Sequence, residues 1–182
     1  MSEAHSKYSA SASARWLACP GSMVLSKGAP RSSSKYSREG TAAHELASQV
    51  LERDVQAASR IGTRIAVEHE TFEVDADMAG HVQTYVDLVR SLRDTLGATL
   101  LVEQRLDYGQ YLGSEQAWGT GDAVLITPDE IIVIDLKYGQ GEQVEADGNT
   151  QLQLYALGAL AKFGDYGDFQ TVRVIICQPR SG

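Results

Sequence analysis

The run from Gly119 to Tyr138, GTGDAVLITPDEIIVIDLKY, constrains this chain most. An apolar segment, Ala123 to Ile126, and an unbroken β-branched one, Ile131 to Ile134, flank Thr127-Pro128-Asp129-Glu130. Proline presets its own φ and cannot donate to a ladder, so those four residues read as a tight turn between two strands. Continuous apolar character is that of a buried strand. The spacing predicts a hairpin in which Asp122 opens the first strand and Asp135 ends the second. In an antiparallel pair those ends lie side by side. Side chains alternate along a strand, so Asp135 and Lys137 share a face and Leu136 points away. Two carboxylates beside a buried sheet repel, and burial adds to the cost. A hard divalent cation removes the conflict, because Mg²⁺ is typically held by one or two carboxylates with phosphate and water. Taken alone, the same residues also read as a turn cap and a surface ion pair, since so short a pattern recurs by chance.

At 182 residues with 43% apolar side chains, the chain suits one soluble globular domain, with or without a small appendage. No run approaches a transmembrane helix, and the start MSEAHSKYSASASAR has no apolar signal core. Cys19 and Cys177 form no CxxC pair, and a cytoplasmic setting fits. The net charge of −8 argues against an unspecific nucleic-acid binder. Its distribution is uneven. Residues 1–40 carry six basic and two acidic side chains, net +4, and the remainder carries 10 basic and 22 acidic, net −12. The basic stretch could track a phosphate backbone or be a solvated arm.

Along the chain, residues 1–12 read as loose. Ser13 to Leu17 reads as a short helix capped by Ser13, broken at Cys19-Pro20-Gly21-Ser22, with another helical turn at Met23 to Leu25. Residues 28–37 read as a loop. A helix from near Arg38 to about Arg53 carries Ala43, Leu46, Ala47, Val50 and Leu51 at helical spacing, with His44 beside that face. Ile65 to Val67 and Thr71 to Val74 are short strand candidates. A helix from Ala76 to Leu96 is capped by Asp75 or Asp77 and ended by Gly97. Thr99 to Leu106 reads as a strand carrying Glu103, either solvent-facing or aimed at the acidic rim. Glu142 to Val144 could extend the sheet. A helix from Thr150 to Lys162, capped by Asn149, places Gln151 and Tyr155 on one face. Val172 to Cys177 is a final strand.

Four patterns thus follow one another: Gly40-Thr41-x-x-His44, Gly119-x-x-Asp122, Asp135-x-Lys137 and Gln151-x-x-x-Tyr155. In this order, each on its expected helix or strand, they resemble the RecB-like branch of the PD-(D/E)XK nuclease superfamily. That branch includes CRISPR-associated RecB-like exonucleases and many phage-encoded nucleases. The opening Ser13-Ala14-Arg15-Trp16-Leu17-x-Cys19-Pro20-Gly21-Ser22 is similar to that of an uncharacterised phage member. The resemblance implies an α/β, restriction-endonuclease-like core over residues 38–182, a central mixed β-sheet flanked by helices, preceded by a basic segment over 1–37. It implies Asp122, Asp135 and Lys137 as catalytic residues. Mg²⁺ or Mn²⁺ would be held by His44, Asp122, Asp135 and the main-chain carbonyl of Leu136, with Glu103 as a further candidate. The imidazole nitrogen suits Mn²⁺ better. Gln151 and Tyr155 would position Lys137 or the nucleic acid, and Gly119 and Gly121 would let phosphate approach the backbone. The implied activity is that of a metal-dependent deoxyribonuclease, in exonuclease form, working on single strands or duplex ends in phage or bacterial DNA processing. A recombination or helicase partner would accompany it. The alternative is a non-catalytic nucleic-acid-binding or structural domain on the same fold. Many relatives also carry an iron–sulfur cluster on one early and three late cysteines. Two cysteines cannot supply four thiolates, so no cluster is expected. Either the cluster was lost or the chain is a fragment of a longer one.

Overall fold

The computed structural model describes residues 6–26, 33–141 and 143–181. In chain order the elements are α1 (Ser13–Ala18), α2 (Ser22–Leu25), α3 (Lys35–Glu52), β1 (Arg64–Val67), β2 (Glu70–Glu73), α4 (Ala76–Leu96), β3 (Thr99–Asp107), α5 (Gly109–Leu112), β4 (Trp118–Ile126), β5 (Glu130–Leu136), α6 (Thr150–Phe163) and β6 (Thr171–Cys177). The main sheet has the order β3-β4-β5-β6, and β1 and β2 form a separate hairpin. β3, β4 and β5 are antiparallel neighbours, whereas β6 returns parallel to β5 after the α6 crossover. The sheet is therefore mixed, as expected, and helices cover both faces. α3 and α4 bury Leu46, Val50, Val82, Tyr85 and Val86 against Ala123, Leu125, Ile132, Ile134 and Leu136. On the other face α6 buries Leu152, Tyr155 and Ala159 against Val124, Ile131 and Val133. Every residue from Ile131 to Leu136 is buried, which is what an unbroken apolar strand requires.

Local chemistry sets the boundaries. Thr127 closes the hairpin turn, its Oγ1 accepting from the Glu130 amide at 2.8 Å. Asp75, not Asp77, caps α4 by accepting from the Met78 amide at 2.7 Å, and Gly97 ends it at φ 60°. Asn149 caps α6. α3 starts three residues before the expected Arg38, because Ser34 accepts from the Ser37 amide and supplies the cap. Gly40 accordingly lies inside the helix facing open space, not at a close backbone approach. Ser13 is not a cap. It is buried and shares a 2.6 Å hydrogen bond with Thr150 Oγ1. Residues 6–12 are not loose either. Ser6 and Tyr8 bond to Gln116, the Tyr108 hydroxyl donates to the Tyr8 carbonyl at 2.8 Å, and Ala10 and Trp16 belong to the α6-side core. The proposed loop over 28–37 falls partly outside the described residues, and from Lys35 onward it is helix. Of the proposed strand 142–144, Glu142 lies outside the described residues and the other two are not in a strand.

β4 begins at Trp118, so Asp122 lies in mid-strand rather than at its start. Pairing of β4 with β5 stops at Ala123–Ile134, while pairing with β3 continues to Asp107–Trp118. The β3–β4 ribbon thus runs on alone past the site. Within it the rung of Glu103 and Asp122 is unpaired, although the register is unchanged on either side. Across that rung the inward faces exchange. Leu100, Val102, Ala123 and Leu125 pack on the α3/α4 side. Beyond it Leu106 packs on the α6 side, and Gly119 and Gly121 face Tyr155 and Leu106. Glu103 makes the exchange in the left-handed region at φ 49°, a conformation unfavourable for any residue with a Cβ.

Candidate functional site

The side chains singled out by the sequence come from four elements and meet where the β4–β5 ladder ends. Asp122 would pair with Asp135 on the next rung of the β4–β5 register. Instead of continuing the ladder, its Oδ2 accepts from the Leu136 amide at 2.7 Å. Its Oδ1 lies 3.0 Å from His44 Nδ1 on α3. The reversal of alternation at this rung lets a residue of the α6-facing phase reach α3. From the other side α6 presents Gln151, whose Nε2 donates to Asp135 Oδ1 at 3.1 Å and lies 3.2 Å from the Tyr155 hydroxyl. Its Oε1 accepts from Lys137 Nζ at 2.9 Å. One amide therefore fixes acid, amine and phenol together, which favours the positioning of Lys137 over the other expected role of Gln151. Lys137 Nζ also stands 2.8 Å from Asp135 Oδ2. That ammonium is the one polar partner of this otherwise buried oxygen among the described residues.

Electrostatics follow from this crowding. Burial, then the Asp122 carboxylate, pushes Asp135 up to about 6 despite Lys137. Glu103 is pushed up to about 7 by lost hydration and then by Asp122. Because Glu103 as a residue is exposed, the like charge across the rung is the more secure of its two causes. Burial opposes the His44 imidazolium, but the Asp122 hydrogen bond and the charges of Asp122, Asp135 and Glu103 outweigh it and raise its pKa. Burial and the same three carboxylates raise Tyr85 well above its usual value, and its hydroxyl lies 3.4 Å from the Ile134 carbonyl beneath the site.

Among the described residues, no three His, Cys, Asp or Glu side chains form a preformed metal cage. The donors present nonetheless fit a hard cation that keeps water and phosphate ligands. Asp135 offers a buried oxygen whose polar neighbour is the Lys137 ammonium. The 3.0 Å between His44 and Asp122 is also the separation of adjacent ligands about 2.1 Å from one octahedral ion. Cys19 and Cys177 are free thiols, one exposed and one buried. Burial raises Cys177 to about 11, as in an inert core thiol.

A Cβ at Gly119 would meet Tyr155 Cε1 at 2.6 Å and one at Gly121 would meet Leu106 Cδ1 at 2.9 Å. Packing alone therefore asks for glycine at both positions, the first to seat the α6 tyrosine and the second to seat Leu106 of β3. Tyr85 was legible only as part of an apolar helical stripe, and nothing in its spacing marked a hydroxyl under two acids.

The model of a family described as Protein of unknown function (DUF2800) matches residues 5–182. The chain belongs to this family. All of the residues gathered here fall within the DUF2800 span. No solved structure matches the chain. Among the described residues of this DUF2800 protein, no helix is long and apolar enough to cross a membrane.

Proposed function

We propose that this DUF2800 chain is a metal-dependent deoxyribonuclease of the RecB-like PD-(D/E)XK type, with a restriction-endonuclease-like core. The observation that carries the reading is the network that buried Asp135 forms with Lys137 and Gln151, beside Asp122 and His44. Asp122, Asp135, His44 and the Leu136 carbonyl would hold Mg²⁺ or Mn²⁺. When bound, the ion would polarise the scissile phosphate and acidify a water. The remaining work falls to the chain itself. An ammonium has three N–H donors. Lys137 directs one to Gln151 and sets another near Asp135, leaving a third for the attacking water or a phosphate oxygen. Held this way, Lys137 orients the nucleophile and offsets negative charge as the phosphorus–oxygen bond breaks.

The test is digestion of end-labelled DNA with Mg²⁺, Mn²⁺ or EDTA by wild type and Lys137→Ala. Metal-dependent cleavage by the wild type, reduced at least about a hundredfold in the variant, is the expected result. Equal cleavage by the two removes Lys137 from the mechanism. The open metal geometry favours a second reading, a non-catalytic nucleic-acid binder. Binding without cleavage under every metal condition would select it.

A further inference from the structure

Resting on the nuclease reading above, we propose that the β3–β4 ribbon carries a base-stacking platform for single-stranded DNA. In it the Arg105 guanidinium, backed by the Trp118 indole, receives a base of the strand being cut. Beyond Ala123 the ribbon has no β5 neighbour. Its inner face is filled by α6, with Gly119 against Tyr155 and Leu106 against Gly158. Directly opposed residues share a face, so the other face carries Arg105 beside Thr120, then Asp107 beside Trp118. This ladder leads straight from the Glu103–Asp122 rung. Trp118 is half-buried and belongs to neither apolar cluster of the described residues. The Arg105 guanidinium lies over its ring, 4.1 Å from the centroid. Arg105 is exposed and makes no ion pair among the described residues, so the indole rather than a carboxylate holds it.

A guanidinium held over an indole by a cation–π contact can stack its solvent side on another π-system. Bases in a duplex are already stacked, whereas those of a single strand are available. Trp118 is four residues from Asp122, about 13 Å along a strand. That spans roughly four nucleotides at a stacked rise and fewer in an extended strand. Lys162 adds positive charge at the same edge, donating to Gln104 Oε1 at 2.9 Å and to the Arg105 carbonyl at 3.1 Å. Arg105, Gln110 and Lys162 help to line a groove of about 450 Å³ there. With a net charge of −8, the protein is poorly equipped for binding by phosphate contacts alone. Stacking supplies affinity that overall charge does not oppose.

The experiment is fluorescence anisotropy of a labelled twelve-nucleotide oligo-dT with the full chain in EDTA, comparing wild type, Arg105→Ala and Trp118→Ala. Each variant should bind the single strand about 5- to 100-fold more weakly and bind a blunt duplex as wild type does. Trp16, the other tryptophan, is buried, so quenching by the oligonucleotide should vanish in Trp118→Phe. Wild-type affinity in both alanine variants, or equal losses on single strand and duplex, would overturn the platform. Cleavage is read separately. Stacking-dependent binding by a wild type that cuts nothing sinks the nuclease reading alone. Cleavage whose KM ignores both substitutions sinks the platform alone.

Discussion

Replacing Asp135 with asparagine tests the electrostatics of the site in the direction opposite to most active-site changes, because the protein should become more stable. Asp135 is 2% exposed, and its pKa stands at about 6 against a usual 3.8. Each tenfold change in proton affinity is worth about 1.4 kcal/mol, so holding this carboxylate ionised costs the fold about 3 kcal/mol. The folded protein binds the proton more tightly than the unfolded chain does. The penalty is therefore absent below the unfolded pKa, grows as pH rises from about 4 to 6, and is complete above that. Asparagine removes the charge and keeps an oxygen for Gln151, and the attraction of Lys137 is already contained in the raised value. The net gain is about 3 kcal/mol, or roughly 6–12 °C in Tm for a chain of this size. Thermal melts in EDTA should show Asp135→Asn ahead at pH 8 and level with wild type near pH 4. Adding Mn²⁺ at pH 8 should raise the Tm of wild type and not of the variant. A variant that melts at or below wild type at pH 8, or an advantage independent of pH, would refute the buried-charge argument.

Other substitutions separate roles. Gln151→Ala should lower kcat about 10- to 100-fold with a smaller change in KM, because Lys137 loses its acceptor while substrate contacts remain; steady-state cleavage of labelled DNA reads both constants. Gly119→Ala should cost about 1–3 kcal/mol in denaturant melts by driving a methyl into Tyr155. An unchanged midpoint with lost activity would instead return that glycine to the phosphate. Glu103→Gly should exceed Glu103→Ala by about 1 kcal/mol in the same melts, because both remove the charge beside Asp122 and only glycine relieves the left-handed backbone at φ 49°.

Much of this arrangement was legible from residue patterns. The β4–β5 hairpin, the span of α4, α6 with its Asn149 cap and the nearness of Asp122 to Asp135 follow from local periodicity and turn chemistry. Spacing left the α4 cap open between Asp75 and Asp77 and gave only that Gln151 and Tyr155 share a face; that Gln151 reaches Lys137 was implied by the family resemblance. Local patterns fall short where a distant partner decides. Ser13 has the chemistry of a cap but is claimed by Thr150, 137 positions away. Gly119 and Gly121 have the look of a phosphate loop, yet packing against Tyr155 and Leu106 alone asks for glycine at both. The exchange of faces at Glu103 was invisible because no local pattern announces a left-handed glutamate in a strand.

That exchange has a consequence for folding fidelity. A uniformly alternating ribbon can slide by two positions and still hide the same kind of side chain, so its alignment is only loosely specified. Here β3 and β4 must reverse together, at one rung, or apolar groups are left in water on both strands. Sliding in either direction separates the two reversal points and is penalised at once. The acids therefore sit on the rung that sets the strand alignment, so a molecule that has folded at all has already put its carboxylates opposite one another.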